Sequence, residues 1–298
     1  MPTFEELVLT KTELMDRMDE DLVQLAETLE PLIYERLVKW LTSLPSVQGQ
    51  LNAATVDINR YLGEMVRAID EALAAGGWGE GIAAYLQDFS RIDQLNASIH
   101  ATGSQVQISA LKNVLGDVKV NTVNAVTDNL AGLGLDNNVK RPLRQAMYKY
   151  LATGGKISDV KEFINVYLRG QNLTGGALKR QAAVAARDGV MQYDGTINQI
   201  IEAEFDMNAY IYSGSIIKDS RPQCRKWIRY KYIPKSLINT IVRPYDNGNT
   251  GLIAGTNSTN FAINRGGYNC RHTATPLRLS EAELEDAKQK ILGGLVVN

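Results

Sequence analysis

The feature that most constrains the fold is a change of hydrophobic period close to Asn208. Upstream of this position, apolar residues recur at spacings of three, four and seven, as they do on helices that bury one face. Downstream, residues 209–217 are rich in aromatic and β-branched side chains, and the prolines and glycines that follow favour loops. The sequence therefore predicts a mainly α N-terminal body, similar to a helical bundle, followed by a small α+β C-terminal module with short strands and long loops.

Glycines and prolines divide the helical part into segments. Pro45 is expected to end the first long segment, and the glycines between residues 76 and 81 predict a flexible connection. Gly103 and Gly116 predict two further breaks in the helical pattern.

A Gly-Leu-Gly turn at residues 132–134 is expected to mark the boundary between two domains. The first domain, residues 1–135, is predicted to be helical throughout. The second, residues 136–298, is predicted to keep helices to about residue 205, to form an α+β region over about 208–279 and to end in a helix over 280–292.

The net charge of -1 conceals opposite charges at the two ends of the chain. Residues 1–30 contain nine acidic and two basic residues, whereas residues 218–278 contain eleven basic and two acidic residues. A basic region of this kind suits an acidic protein surface or a nucleic-acid backbone, and the alternative is a solvated face with no partner. The residues expected to contact a partner or DNA are Arg225, Lys226, Arg229, Lys231 and Lys235.

The start of the chain carries charged residues, among them Glu5, Lys11 and Glu13, where a signal peptide would need an apolar stretch. No later run approaches the ~20 apolar residues of a membrane span. We therefore expect a cytoplasmic product without a membrane partner.

The two cysteines are too few for the disulfide framework of a small secreted protein. Cys224, Cys270 and His272 could ligate a metal, with Asp219 as a fourth ligand, but a zinc site usually needs four ligands in close pairs. The favoured interpretation is a close cysteine pair, either bonded or as buried thiols, with no metal. A metal site and unrelated positions for the two cysteines are the alternatives.

No sequence motif indicates catalysis. A phosphatase-like loop needs an arginine six residues after its cysteine, but Tyr230 stands six residues after Cys224. A Gly-rich phosphate loop is missing, and the glycines at 79 and 81 follow a helical pattern where a dinucleotide-binding motif requires a strand. We therefore predict a non-enzyme with no catalytic residues and no cofactor.

A compound signature stands out in the basic region. Its first element reads Asp219-Ser-Arg221-Pro-Gln-Cys224-Arg-Lys-Trp227. Its second element reads Gly266-Gly267-Tyr-Asn269-Cys270-Arg271-His272-Thr-Ala-Thr-Pro276. These residues suit a core that holds the fold together, because arginines can bond Asp219, cysteines fill tight buried positions and the paired glycines permit a turn with positive φ.

This signature resembles the C-terminal module of tailed-bacteriophage minor head proteins, the Mu F-like head-morphogenesis family. That family pairs Asp-x-Arg-x-x-Cys with a later Asn-Cys-Arg-Cys or Asn-Cys-Arg-His. The preceding segments Ala183–Asp188 and Tyr193–Asn198 also look like those of the family, and the resemblance covers residues 157–279. Many members carry further cysteines in both elements, and their absence here argues against a metal-bound version.

The resemblance implies a structural virion protein at the head interior or portal vertex, present in the host cytoplasm during assembly. Its implied partners are the portal, the major capsid protein and packaged double-stranded DNA, and the domain at 1–135 would dock on the portal or capsid or act like a scaffold. One alternative is a DNA-binding protein inside the capsid or ejected with the genome. A second is a nuclease or transferase built on the same module.

Overall fold

A computed structural model describes residues 2–52, 57–103, 108–171, 175–267 and 269–296. It confirms a mainly α body followed by a small α+β module at the C-terminal end. The helices that begin before residue 205 are α1 (Phe4–Ser43), α2 (Ile58–Ala75), α3 (Trp78–Gln87), α4 (Phe89–Gly103), α5 (Lys112–Ala131), α6 (Leu133–Leu135), α7 (Arg141–Thr153), α8 (Ile157–Arg169) and α9 (Ala177–Glu204).

Two of the expected helix breaks are wrong. The glycines at 79 and 81 lie inside α3, which begins at Trp78, so only Gly76 and Gly77 lie between α2 and α3. A β-carbon at Gly81 would lie 2.1 Å from Leu25 Cδ2, so the glycine permits close helix packing. Gly116 lies inside α5, whereas Gly103 ends α4 as predicted.

A short hairpin that the sequence did not predict follows Pro45. Strands β1 (Ser46–Val47) and β2 (Gln50–Leu51) pair antiparallel across a two-residue turn. Gln48 and Gly49 both have positive φ, 50° and 77°, which is the conformation of a tight hairpin turn.

The C-terminal module contains a three-stranded antiparallel sheet of order β4-β3-β5. Its strands are β3 (Ala209–Ser213), β4 (Tyr232–Pro234) and β5 (Thr273–Leu277). The shorter helices around it are α10 (Pro222–Tyr230), α11 (Ile238–Val242) and α12 (Phe261–Asn264), and the chain continues into the expected terminal helix α13 (Glu281–Val296).

Strand β3 is buried on both faces. Tyr210 and Tyr212 belong to a core that contains Trp227 and Phe261, whereas the alternate residues Ala209 and Ile211 belong to a second core. That second core also takes residues from α1 and α4, namely Phe4, Leu7, Val8 and Ile99. The first residues of the chain therefore pack with the C-terminal sheet.

The chain divides into two compact units, each made of separate segments. The module unit comprises Met1–Arg17, Asp88–Val123 and Arg187–Asn298, and the helical unit comprises Met18–Gln87 and Asn124–Ala186. Both units take residues from either side of position 135, where the sequence predicted a boundary. The assignment of separate roles to residues 1–135 and 136–298 stays a prediction. In the parts of the chain that the structure describes, we find no helix long and apolar enough to cross a membrane.

Candidate functional site

The two elements of the compound signature meet in the module unit. Cys224 lies on α10 and Cys270 lies shortly before β5, and their Sγ atoms are 3.8 Å apart. His272 Nδ1 lies 3.3 Å from Cys270 Sγ, and all three side chains are buried. The cysteines are free thiols, so the predicted close pair is confirmed and its unbonded form is the one observed.

Local sequence explains how these side chains point inward. Pro222 occupies the first turn of α10, where its fixed φ is favourable and its missing N–H costs nothing. Cys224 and Trp227 are then three residues apart on one face of the helix, and both are buried. Cys270 and His272 are likewise buried, whereas Arg271 between them is partly exposed, as in an extended segment.

The paired glycines of the motif are required by close backbone approaches. A β-carbon at Gly266 would lie 2.2 Å from Cys224 Sγ and 2.9 Å from Cys270 Sγ. Gly267 has φ of 106°, and a β-carbon there would lie 1.9 Å from the Gly251 carbonyl oxygen. Both positions therefore exclude any larger residue, which agrees with their predicted role in a structural core.

The polar residues of the motif have different environments. Arg221 donates a hydrogen bond of 3.2 Å to the Gly266 carbonyl and so links the two elements. Gln223, which the sequence did not single out, is fully buried and donates to the same carbonyl at 3.2 Å. Asp219 and Asn269 are exposed, and Asn269 has a positive φ of 54°.

The surroundings shift the pKa values of the two thiols in opposite directions. Hydrogen bonds from Cys224 and His272 hold the pKa of Cys270 well below its usual value. The contact with Cys270, together with burial, raises the pKa of Cys224. Tyr212 places its hydroxyl 3.5 Å from both sulfurs and stacks its ring on that of His272, and burial raises the pKa of its phenol.

A cavity of about 360 Å³ reaches this cluster from the surface. The side chains of Cys224, Cys270 and His272 form part of its wall, and the exposed Asp219 and Asn269 lie at its solvent side. The remaining lining residues include three arginines: Arg187, Arg221 and Arg271.

Four of the five residues expected to contact a partner or DNA bond other groups of the module unit, and Arg229 Nε does so by donating a hydrogen bond of 3.3 Å to the Arg225 carbonyl. Arg225 donates to the carbonyls of residues 217, 218 and 220 at 2.5–2.9 Å. Lys231 pairs with Glu5 at 3.2 Å, and Lys235 pairs with the buried Glu202.

Lys226 and Arg229 line a second cavity of about 780 Å³. Tyr230, Tyr245 and Lys290 are also in its wall. Basic side chains and aromatic rings therefore lie together in the wall of this cavity.

Acidic residues near the start of the chain contact basic and polar residues of the C-terminal region. Besides the Glu5–Lys231 pair, Tyr232 donates a hydrogen bond of 2.7 Å to Glu5, and Ser215 donates one of 2.9 Å to Asp16. The charge asymmetry therefore reflects contacts within the fold as well as any external partner.

A buried polar cluster in the same unit was missed by the sequence analysis. Lys11 Nζ, on α1, donates to Asp194 at 2.8 Å, to Asn96 at 2.9 Å and to Thr275 at 3.1 Å. His100 lies beside it, and burial together with the Lys11 charge lowers the pKa of His100 to about 3. No local pattern could have joined these residues, because they lie on α1, α4, α9 and β5.

Comparison of this chain with protein-family models, with curated proteins and with solved structures found no match.

Proposed function

We propose that this chain is a structural minor head protein of a tailed bacteriophage that acts in head assembly at the portal or the inner capsid wall. The observation that supports the proposal is the meeting of the two signature elements in one buried core. In this core the motif glycines, cysteines and Trp227 each have a packing role that explains their residue type.

The proposed partners are the portal and the major capsid protein, and the proposed location is the virion head after assembly in the host cytoplasm. The cavity lined by Lys226, Arg229 and Tyr230 is the surface we assign to this contact, because its side chains can bond an acidic partner and bury apolar area.

A DNA-binding role inside the capsid is the second candidate. The same cavity supports it, since lysine and arginine can pair with phosphates while tyrosines stack on bases. Phosphate contacts weaken steeply with salt, by a slope of about 0.9 per neutralised phosphate.

The test compares two charge-reversal variants of equal net charge. Lys226→Glu/Arg229→Glu changes the proposed surface, whereas Arg144→Glu/Lys149→Glu changes two exposed residues on α7. Each purified chain is mixed with the portal protein, the major capsid protein and double-stranded DNA from the same phage. We expect the first variant to lose binding to a head protein and the second to keep it.

The other outcomes separate the alternatives. Binding to DNA alone, with a salt slope that falls by about two on replacing Lys226 and Arg229 with alanine, would favour the DNA-binding function. Cleavage of DNA or modification of a head protein by the pure chain would favour a nuclease or transferase. Equal binding by both charge-reversal variants would contradict the assigned surface.

A further inference from the structure

Cys224, Cys270 and His272 bring three nitrogen and sulfur ligands together from two distant parts of the chain. The three ligand atoms lie within 4.8 Å of one another, and all three residues are buried. We propose that they bind one Zn²⁺ ion, which joins α10 to the segment before β5, and that the fourth coordination position faces the adjoining cavity. The proposal does not depend on the proposed function in head assembly.

Two of the three distances between the ligand atoms are close to those that zinc requires. With Zn–S bonds of about 2.3 Å and tetrahedral angles, two ligating sulfurs lie about 3.8 Å apart. With a Zn–N bond of about 2.0 Å, sulfur and nitrogen lie about 3.5 Å apart. The structure has 3.8 Å between the sulfurs and 3.3 Å between Cys270 Sγ and His272 Nδ1. Cys224 Sγ and the His272 nitrogen lie within 4.8 Å of each other, so these two ligands have to move closer together, toward about 3.5 Å, to enclose the ion.

The surroundings hold the ligands in this arrangement. The Gly266 backbone packs against both sulfurs, and a larger residue there would push them apart. The Tyr212 ring stacks on the His272 ring at 5.5 Å between centroids, and its hydroxyl contacts both sulfurs. These contacts are the supporting shell that orients ligands at a metal site.

A divalent cation would compensate the charge of the two thiols once they ionise. Two ionised thiols side by side in a buried site would repel each other and would lose their hydration. A Zn²⁺ ion neutralises both thiolates, and binding releases their protons to solvent. Soft thiolate and imidazole ligands select zinc over magnesium or calcium, which prefer oxygen.

The fourth position distinguishes this site from a closed structural site. The cavity beside the cluster reaches the surface, so water can complete the coordination. Asp219 also lines this cavity but is exposed, and we assign it no ligand role.

The experiment uses the full chain produced in zinc-containing medium under reducing conditions and purified without chelator. Metal content is measured by mass spectrometry of the elements, and thiols are counted in parallel. We expect about one zinc per chain, two thiolates protected from alkylation, and a lower midpoint of thermal unfolding after the metal is removed. Replacement of zinc by Co²⁺ should give the visible absorption and thiolate charge-transfer bands of a tetrahedral site.

Matched substitutions at one position separate ligation from packing. His272→Cys should keep zinc, since cysteine also ligates it, whereas His272→Gln should lose it. Asp219→Ala should keep zinc. Recovery of the folded wild-type chain without zinc and without Co²⁺ bands on titration would overturn the proposal. Equal zinc content in His272→Cys and His272→Gln would also overturn it.

Discussion

The buried ion pair between Lys11 and Asp194 gives the sharpest stability prediction. The side chains are 0% and 2% exposed, and the Nζ–Oδ1 distance is 2.8 Å. Lys11→Met would leave the Asp194 carboxylate in the core with a hydrogen bond from Asn198 but without the Lys11 cation. Because an unpaired buried charge loses its hydration without compensation, we expect this variant to lose about 3–5 kcal/mol of unfolding free energy.

The double variant Lys11→Met/Asp194→Leu removes both charges and should be more stable than either single variant. Its remaining loss comes from the hydrogen-bond partners Asn96, Asn198 and Thr275, at about 1 kcal/mol for each bond. The assay is urea unfolding of the four proteins, monitored by circular dichroism. The free energies form a double-mutant cycle that yields the coupling between the two charges.

The matched control is the surface pair Lys290–Asp286, whose side chains are 65% and 62% exposed. Solvent screens this pair, so its cycle should give a coupling within the scatter of additive mutations. A coupling at Lys11–Asp194 no larger than that of the control would show that burial does not strengthen the interaction between these two charges. A loss below about 1 kcal/mol for Lys11→Met would refute the reasoning.

Three further predictions concern the motif core and the buried titratable groups. Gly266→Ala should destabilise the chain by about 1–3 kcal/mol, because its added methyl group overpacks against the two sulfurs. Gly116→Ala lies in open space on α5 and should stabilise the chain by about 0.5–1 kcal/mol. Urea unfolding that finds Gly266→Ala as stable as Gly116→Ala would contradict this prediction. The pKa of His100 is about 3 in the folded chain, below its unfolded value of about 6.5. The contribution of His100 to the unfolding free energy is therefore full above pH 6.5, and it falls by up to about 1.4 kcal/mol per pH unit as pH decreases toward 3. His100→Leu should lack this component, and unfolding curves at pH 7 and 5 that change equally in both proteins would disprove it. Burial raises the pKa of Glu30 to about 7, above its unfolded value of about 4.5. The contribution of Glu30 to the unfolding free energy is therefore full below pH 4.5 and is lost as pH rises through 7. The stability of Glu30→Gln should depend less on pH over that range, and an unchanged dependence would count against the prediction.

The sequence predicted those parts of the fold that depend on local pattern. The helical period ends with α9 at Glu204, and the strand signal after Asn208 became β3. The paired motif also predicted that Cys224 and Cys270 lie close together, because the family that it resembles pairs these two elements. These predictions use either the period of the apolar residues or a motif whose two elements are recognised together.

The remaining features depend on contacts between distant residues. Apolar spacing predicts that one face of α1 is buried, but it does not identify what covers that face, so Lys11 had no predicted partner 183 residues away. Charge counts could not show that Lys231 would meet Glu5 at the other end of the chain. Glycine content predicted a flexible connection where Gly81 instead permits helix packing against Leu25.

We propose that this chain is a structural component of a phage head. Quantitative mass spectrometry of purified virions from a phage genome that carries this gene, repeated on the same particles after genome release, tests the proposal. We expect the chain in mature virions in few copies relative to the major capsid protein. Mature, infectious virions without the chain would overturn the proposal.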